Sequence, residues 1–240
     1  MQVWYAHMLT TVFLMTAPIE NAPKTCLPYD ARGWPTFERL VSMICKPRSE
    51  NVWPLIQDVA LGTGDCERLV PLTPEGFNRE IEKKTFTNGS DAGHVMDLYK
   101  NTLDHVLSRL KQLKMRESCH WGDADMATLV KLLPMCKEAC FLDLTNSFGE
   151  LSVMGLTILI DALKKESLPS NIREIMFGYA AVDRQGWLMP RPPADAERSK
   201  RSAEAAIQEF CMVCEAAPGP ITCTLVHDAW TLAQGNGLSA

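Results

Sequence analysis

No apolar run in this 240-residue chain reaches the ~20 residues that a membrane-spanning helix needs, so no membrane partner is expected. The chain also lacks a Walker phosphate loop, a G-x-S-x-G elbow, an H-E-x-x-H pair and any ordered Ser-His-Asp set. Kinase and hydrolase readings therefore lose their usual support. Positive charge is short: 24 Lys and Arg stand against 29 Asp and Glu, a net charge of −5. That balance argues against a broad phosphate-binding face, and no nucleic-acid partner is expected. No basic segment precedes the early apolar run at residues 8–15 and no clear small-residue cleavage site follows it, so it does not read as a signal peptide. What is present is core material, at 46% hydrophobic and 22% charged residues, which predicts a packed α/β chain rather than disorder. Nine cysteines with no export signal predict buried thiols and a reducing, cytoplasmic setting.

Residues 29–45 (YDARGWPTFERLVSMIC) organise the first half. Upstream, residues 8–15 are apolar and β-branched and predict a buried strand. Residues 16–29 carry Pro18, Pro23 and Pro28 and predict a loop. Residues 35–45 predict a helix. Pro35 suits the first helical position, and Phe37, Leu40, Val41 and Ile44 recur at i, i+3, i+4 and i+7. The same period sets Trp34 and Glu38 on one side of the first turn, with Glu38 bordering the apolar stripe near the positive end of the helix dipole. Arg32 is the expected counter-charge. A strand, a loop and a polar group at a helix entry together mark where open α/β sheets place their sites. A solvated Glu38 paired with Arg32 or Arg39 is the bland alternative.

The order apolar strand, loop, Tyr29, Trp34, then Glu38 four residues after the tryptophan resembles the middle of a TIR (Toll/interleukin receptor) domain. The overlap covers residues 8–45. The RGW-x3-E element is also similar to one carried by multidomain protist proteins. In NAD-cleaving TIR domains the glutamate at this spacing is catalytic. The resemblance thus implies Glu38 as the carboxylate that stabilises a ribosyl oxocarbenium, with Trp34 shaping the nicotinamide pocket, Arg32 contacting phosphate, and Tyr29 among the substrate-binding residues. This sequence departs from the pattern at Pro35, where a small residue is usual, and in the long loop before Tyr29. A TIR domain also has about half its sheet ahead of this strand, and only seven residues precede it here. The chain is expected to be a fragment of a larger protein.

Further along, residues 52–61 predict a short strand or helix, and Gly62 and Gly64 a turn. Thr73-Pro74-Glu75 predicts a helix start with Phe77 and Ile81 inward. Asp91 is read as the cap of a long helix over residues 92–113, with Val95, Leu98, Tyr99, Leu103, Val106, Leu107, Leu110 and Leu113 on its stripe. Residues 115–125 read as a polar link between domains, and Cys119-His120 as poor chelate geometry. Asp125 is the expected cap of a helix over residues 126–135, with Leu129, Leu132 and Leu133 inward.

The second half repeats a unit. Residues 140–145 predict a strand, 155–163 a helix, and 172–177 a second strand about 33 residues after the first, within the range of repeat architectures. The run Ile172-x2-Ile175-x-Phe177-x4-Val182-Asp183-x2-Gly186 is similar to the ribonuclease-inhibitor class of leucine-rich repeat, although Ala180 stands where the ladder asparagine would be. An ordinary β-α-β-α sheet is the alternative. Residues 188–195 form a proline-rich basic loop. A helix follows at residues 203–217 with Ala206, Phe210 and Val213 inward, then a last strand at 221–226. Cys211-x2-Cys214-x8-Cys223-x3-His227 has zinc-like spacing, yet two of its cysteines sit in a helical pattern and one in a strand, so buried thiols are the favoured reading and zinc stays open.

The sequence therefore predicts an α/β chain of mostly parallel strands with intervening helices. Residues 1–114 form a partial flavodoxin- or TIR-like unit, and residues 115–240 a short leucine-rich-repeat-like array. The expected role is a non-catalytic intracellular interaction or signalling module with protein partners, no cofactor and no metal site. NAD cleavage at Glu38 is the alternative.

Overall fold

The computed structural model describes residues 2–7, 9–18, 20, 21, 23, 26–46, 49, 50, 53–61, 68–115, 121–145, 153–165, 171–178, 196–217 and 221–226. The Gly62/Gly64 turn, Cys119-His120, the repeat positions after Gly178, the basic loop and His227 lie outside them. The chain divides into two units, residues 1–110 with 135–137, and residues 111–134 with 138–240. The predicted α/β class with parallel strands is what the chain adopts. No helix among the described residues is long and apolar enough to cross a membrane.

The first unit begins with a short helix α1 (Gln2–Ala6) and strand β1 (Val12–Leu14). The strand is shorter than the apolar run suggested and is buried on one side only. Val12 and Leu14 turn inward while Phe13 is 59% and Leu9 85% exposed. Alternation along a strand aims successive side chains at opposite faces, so an apolar run does not by itself mean two-sided burial. Helix α2 (Gly33–Ser42) follows a 3-10 turn, and two-residue strands β2 (Ser49–Glu50) and β3 (Trp53–Pro54) make an antiparallel pair. Strand β4 (Ile56–Asp58) returns parallel to β1, with Val12 opposite Ile56. The β1-α2-β4 crossover is present, but its sheet has two strands among the described residues.

Helix α3 (Pro74–Ile81) starts where predicted, with the Thr73 hydroxyl accepting the Gly76 amide at 3.1 Å. Helix α4 (Asp91–Leu107) ends six residues earlier than expected, and its cap position is Ser90. Leu113, read as helical, lies in a strand. Val95, Tyr99, Leu103 and Leu107 are fully buried along α4. Helix α4 packs on α1, α2 and α3, and an aromatic core fills the space, with Phe77 stacked on Tyr99 at 3.8 Å and edge-on to Phe37 at 6.3 Å.

Among the described residues, the second unit holds a four-stranded parallel sheet. Strand β5 (Gln112–Lys114) leads to helix α5 (Asp123–Leu132) and strand β6 (Phe141–Thr145). Helix α6 (Val153–Lys164), strand β7 (Glu174–Gly178), helix α7 (Ala196–Glu215) and strand β8 (Thr222–Val226) complete it. Asp125 sits inside α5, not before it, and its carboxylate accepts the Gly122 amide at 3.0 Å. Strand order is β5-β6-β7-β8, so each strand is added outside the previous one. Leu113, Leu142 and Ile175 share one row with Cys223, and the leucines and isoleucine are fully buried. The neighbouring row, Gln112, Phe141, Glu174 and Thr222, is half-buried or exposed. The Cys211 thiol of α7 reaches Cys223, which fixes α7 on the apolar face. Helix α6 packs on α7, and α5 on α6, so the three helices form one layer there.

Candidate functional site

Helix α2 positions the residues singled out by sequence. It begins at Gly33 with Arg32 as its cap residue, so Pro35 is its third residue and not its first. The Gly33 amide donates to the Thr85 carbonyl at 3.0 Å, outside the helix, which lets the chain turn helical two residues early. A methyl group on Gly33 would fall inside the Phe86 ring, so any side chain there must displace that ring. The upstream start moves Glu38 into the second turn, beyond the reach of the helix N-terminus that the sequence reading assigned to it. The helix ends at Ser42, and residues 43–45 form a turn.

Glu38 is half-buried and accepts a 3.1 Å hydrogen bond from the Tyr5 hydroxyl of α1. No ion pair joins it to Arg32 or Arg39. Arg39 pairs instead with Asp30 at 3.2 Å, and the Arg32 guanidinium lies over the Tyr29 ring at 5.9 Å. Tyr5 and Tyr29 both rest on the small core of Val12, Leu14, Met43 and Ile56. Burial, with the Glu38 and Asp30 charges adding to it and Arg39 and Arg32 opposing, pushes the Tyr29 phenol up to about 12. Its hydroxyl donates to the Pro35 carbonyl at 3.3 Å. Glu38, Tyr29 and Arg32 thus share one neighbourhood.

Trp34 lies one turn ahead of Glu38 on α2, but its side-chain contacts are made with other residues. Its indole N–H donates to Asp91 at 3.0 Å, and its ring meets Phe37 and His94 edge-on, which pins it to the start of α4. A tryptophan held there is committed to packing α2 on α4. Sequence reasoning missed Tyr5, Asp91 and His94 as neighbours. A five-residue helix is too short to display a period, and the contacts span 33 and 57 residues.

The turn after α2 carries a buried cation. Lys46 is fully buried, and its ammonium donates to the His7 and Thr10 carbonyls and to the Thr10 hydroxyl. The neighbouring Cys45 thiol donates to the Ala6 carbonyl at 3.0 Å. Together they tie the end of α1 to the end of α2. Burial lowers Lys46 from 10.5 to about 8. Between these values the unfolded chain holds a proton that the folded chain has released, so this group adds stability as pH rises from about 8 to about 10. The test compares urea midpoints of the native protein and Lys46→Met. The difference should move in favour of the native protein across that window, and a pH-independent difference would refute the assignment.

Among the described residues, no set of three or more His, Cys, Asp or Glu side chains is placed to hold a metal ion. In comparisons with family models, curated proteins and solved structures, none matches the chain.

Proposed function

We propose that the chain is a non-catalytic, intracellular protein-interaction module that presents the polar face of the β5–β8 sheet. Strand order carries this reading. Among the described strands the sheet grows in one direction without a reversal point, and the crevice that binds nucleotides in doubly wound sheets arises at such a reversal. With its helices in one layer, the sheet offers the row of Gln112, Phe141, Glu174 and Thr222 on the opposite face, as strand–helix repeat proteins do for their partners. No disulfide joins the seven described cysteines, which fits a reducing compartment.

The rival reading, NAD cleavage at Glu38, draws on the carboxylate that Tyr5 holds beside the β1-α2-β4 crossover. An oxocarbenium requires a fixed negative charge close by. Against it, the Trp34 indole, which that chemistry would need at the nicotinamide pocket, is engaged with Asp91. The two readings separate in one assay. The protein and Glu38→Ala are incubated with NAD and the products resolved by chromatography. The module reading expects no nicotinamide from either protein. Release by the native protein and not by Glu38→Ala would replace it with the hydrolase. In parallel, proteins captured from a lysate by the native chain should be lost with Glu174→Lys and kept with Met154→Ser, a change at an exposed position of α6.

A further inference from the structure

The proposed module leaves one chemical cluster unused. Cys211 and Cys214 are three residues apart on α7, which sets both on the helix face turned to the sheet. Cys223 belongs to the inward row of β8, beside Ile175. The Cys211 thiol lies 3.8 Å from the Cys223 sulfur, and Cys214 hydrogen-bonds that same sulfur. Cys214 is fully buried, whereas Cys211 and Cys223 are half-buried. The Ile221 amide donates to the Cys214 carbonyl at 3.1 Å, which holds the start of β8 against the end of α7.

We propose that Cys211 and Cys223 form a reversible dithiol–disulfide couple, a site of oxidation by hydroperoxides. Two sulfurs already in van der Waals contact, on elements fixed to each other by a backbone hydrogen bond, need to close by less than about 2 Å to reach bonding distance. Side-chain rotation at two cysteines supplies most of that. The chemistry balances with the peroxide as oxidant. The Cys211 thiolate attacks a peroxide oxygen, an S–O bond forms, the O–O bond breaks, and the departing alkoxide or hydroxide takes up a proton. Cys211 is then a sulfenic acid. The Cys223 sulfur attacks it, the S–S bond forms, and the S–O oxygen leaves as water with the Cys223 proton. The pair has lost two electrons and two protons, and the peroxide has gained them. A dithiol reductant reverses the change by two exchange steps.

Burial, with the charges of Cys223 and Glu215 adding to it, pushes the Cys211 thiol up to about 11, and Cys223 is raised as well, first by its hydrogen bond to Cys214. The resting pair is therefore held as thiols, and its oxidation is slow compared with that of a thiolate catalyst. This is the behaviour of a site that answers sustained oxidant, not of a peroxidase.

The test uses the full chain treated with hydrogen peroxide, then alkylated and cut after glutamate. Glu209 and Glu215 bracket Cys211 and Cys214 in the peptide 210–215, and Cys223 falls in 216–240. The expected product is these two peptides joined by one disulfide, assigned to Cys211 by fragmentation, absent from Cys211→Ser and Cys223→Ser, present in Cys26→Ser, and released by dithiothreitol. Circular dichroism of the serine variants controls for folding, and the native-chain peptide map needs no variant. Three results would overturn the proposal. One is oxidation of exposed Cys26 while Cys211 and Cys223 stay fully alkylatable. A second is a link that uses Cys214 in place of either partner. The third is stoichiometric zinc in the purified protein that Cys211→Ser removes, which would make the cluster a metal site.

Discussion

Phe77→Ala should lower the unfolding free energy of the first unit by about 3–5 kcal/mol, the range for removing a fully buried aromatic ring. Phe77 and Tyr99 are both fully buried, and their rings lie 3.8 Å apart and within 1° of parallel. Phe37 meets Phe77 from a third direction, so alanine would open a void bounded by α2, α3 and α4 at once. Rigid helices on three sides leave little scope for collapse, which places the expected loss toward the upper part of the range. Tyr99 is further fixed by its hydroxyl, which donates to the Leu72 carbonyl at 2.8 Å. Urea unfolding read by hydrogen exchange on peptides from residues 1–110 checks the result. A loss below about 1 kcal/mol would mean that the stack is not where the unit's cohesion lies.

Gly33→Ala should cost about 1–3 kcal/mol through overpacking, although a single methyl is added at a helix start where alanine is ordinarily harmless. The cause is the Phe86 ring, which occupies the space that the new methyl would need. Ring and helix are held in register by two backbone bonds, Gly33 amide to Thr85 carbonyl and Thr85 amide to Ala31 carbonyl. Phe86 could yield only by swinging away from this junction. The double variant Gly33→Ala with Phe86→Ala should therefore be more stable than the sum of the single losses predicts, by about 1 kcal/mol or more. Strict additivity in urea titrations would show that the strain lies elsewhere.

Local signals with a chemical mechanism transferred well from sequence to structure. Thr73-Pro74 specified the start of α3, because a hydroxyl cap and a residue without an N–H both satisfy the same unpaired helix terminus. The inward set Phe37, Leu40 and Val41 followed from period alone. Misreadings arose where two periods agree. Leu110 and Leu113 continue the α4 stripe in phase, yet Leu113 serves β5, and no residue between them carries a strong stop signal. The strand at residues 8–15 was overextended because composition records apolarity but not which side of a strand is covered. The neighbourhood of Glu38 was half legible. Arg32 and Tyr29 are near it in sequence and in space, but the Tyr5 hydroxyl that holds the carboxylate comes from a helix 33 residues away, and Arg39 chose Asp30. Partner choice among nearby charges depends on side-chain reach, which spacing does not encode.

The one-directional order of β5 to β8 also dictates how the second unit comes apart. Each strand bonds only to its immediate neighbours, so opening can start at the outermost rung and stop after any number of rungs, like a zipper with teeth of unequal grip. Amides of β6 and β7, each flanked on both sides, should outlast those of the rims in exchange experiments. A modification that clamps the β8 rim would then slow the whole sequence of openings from that end.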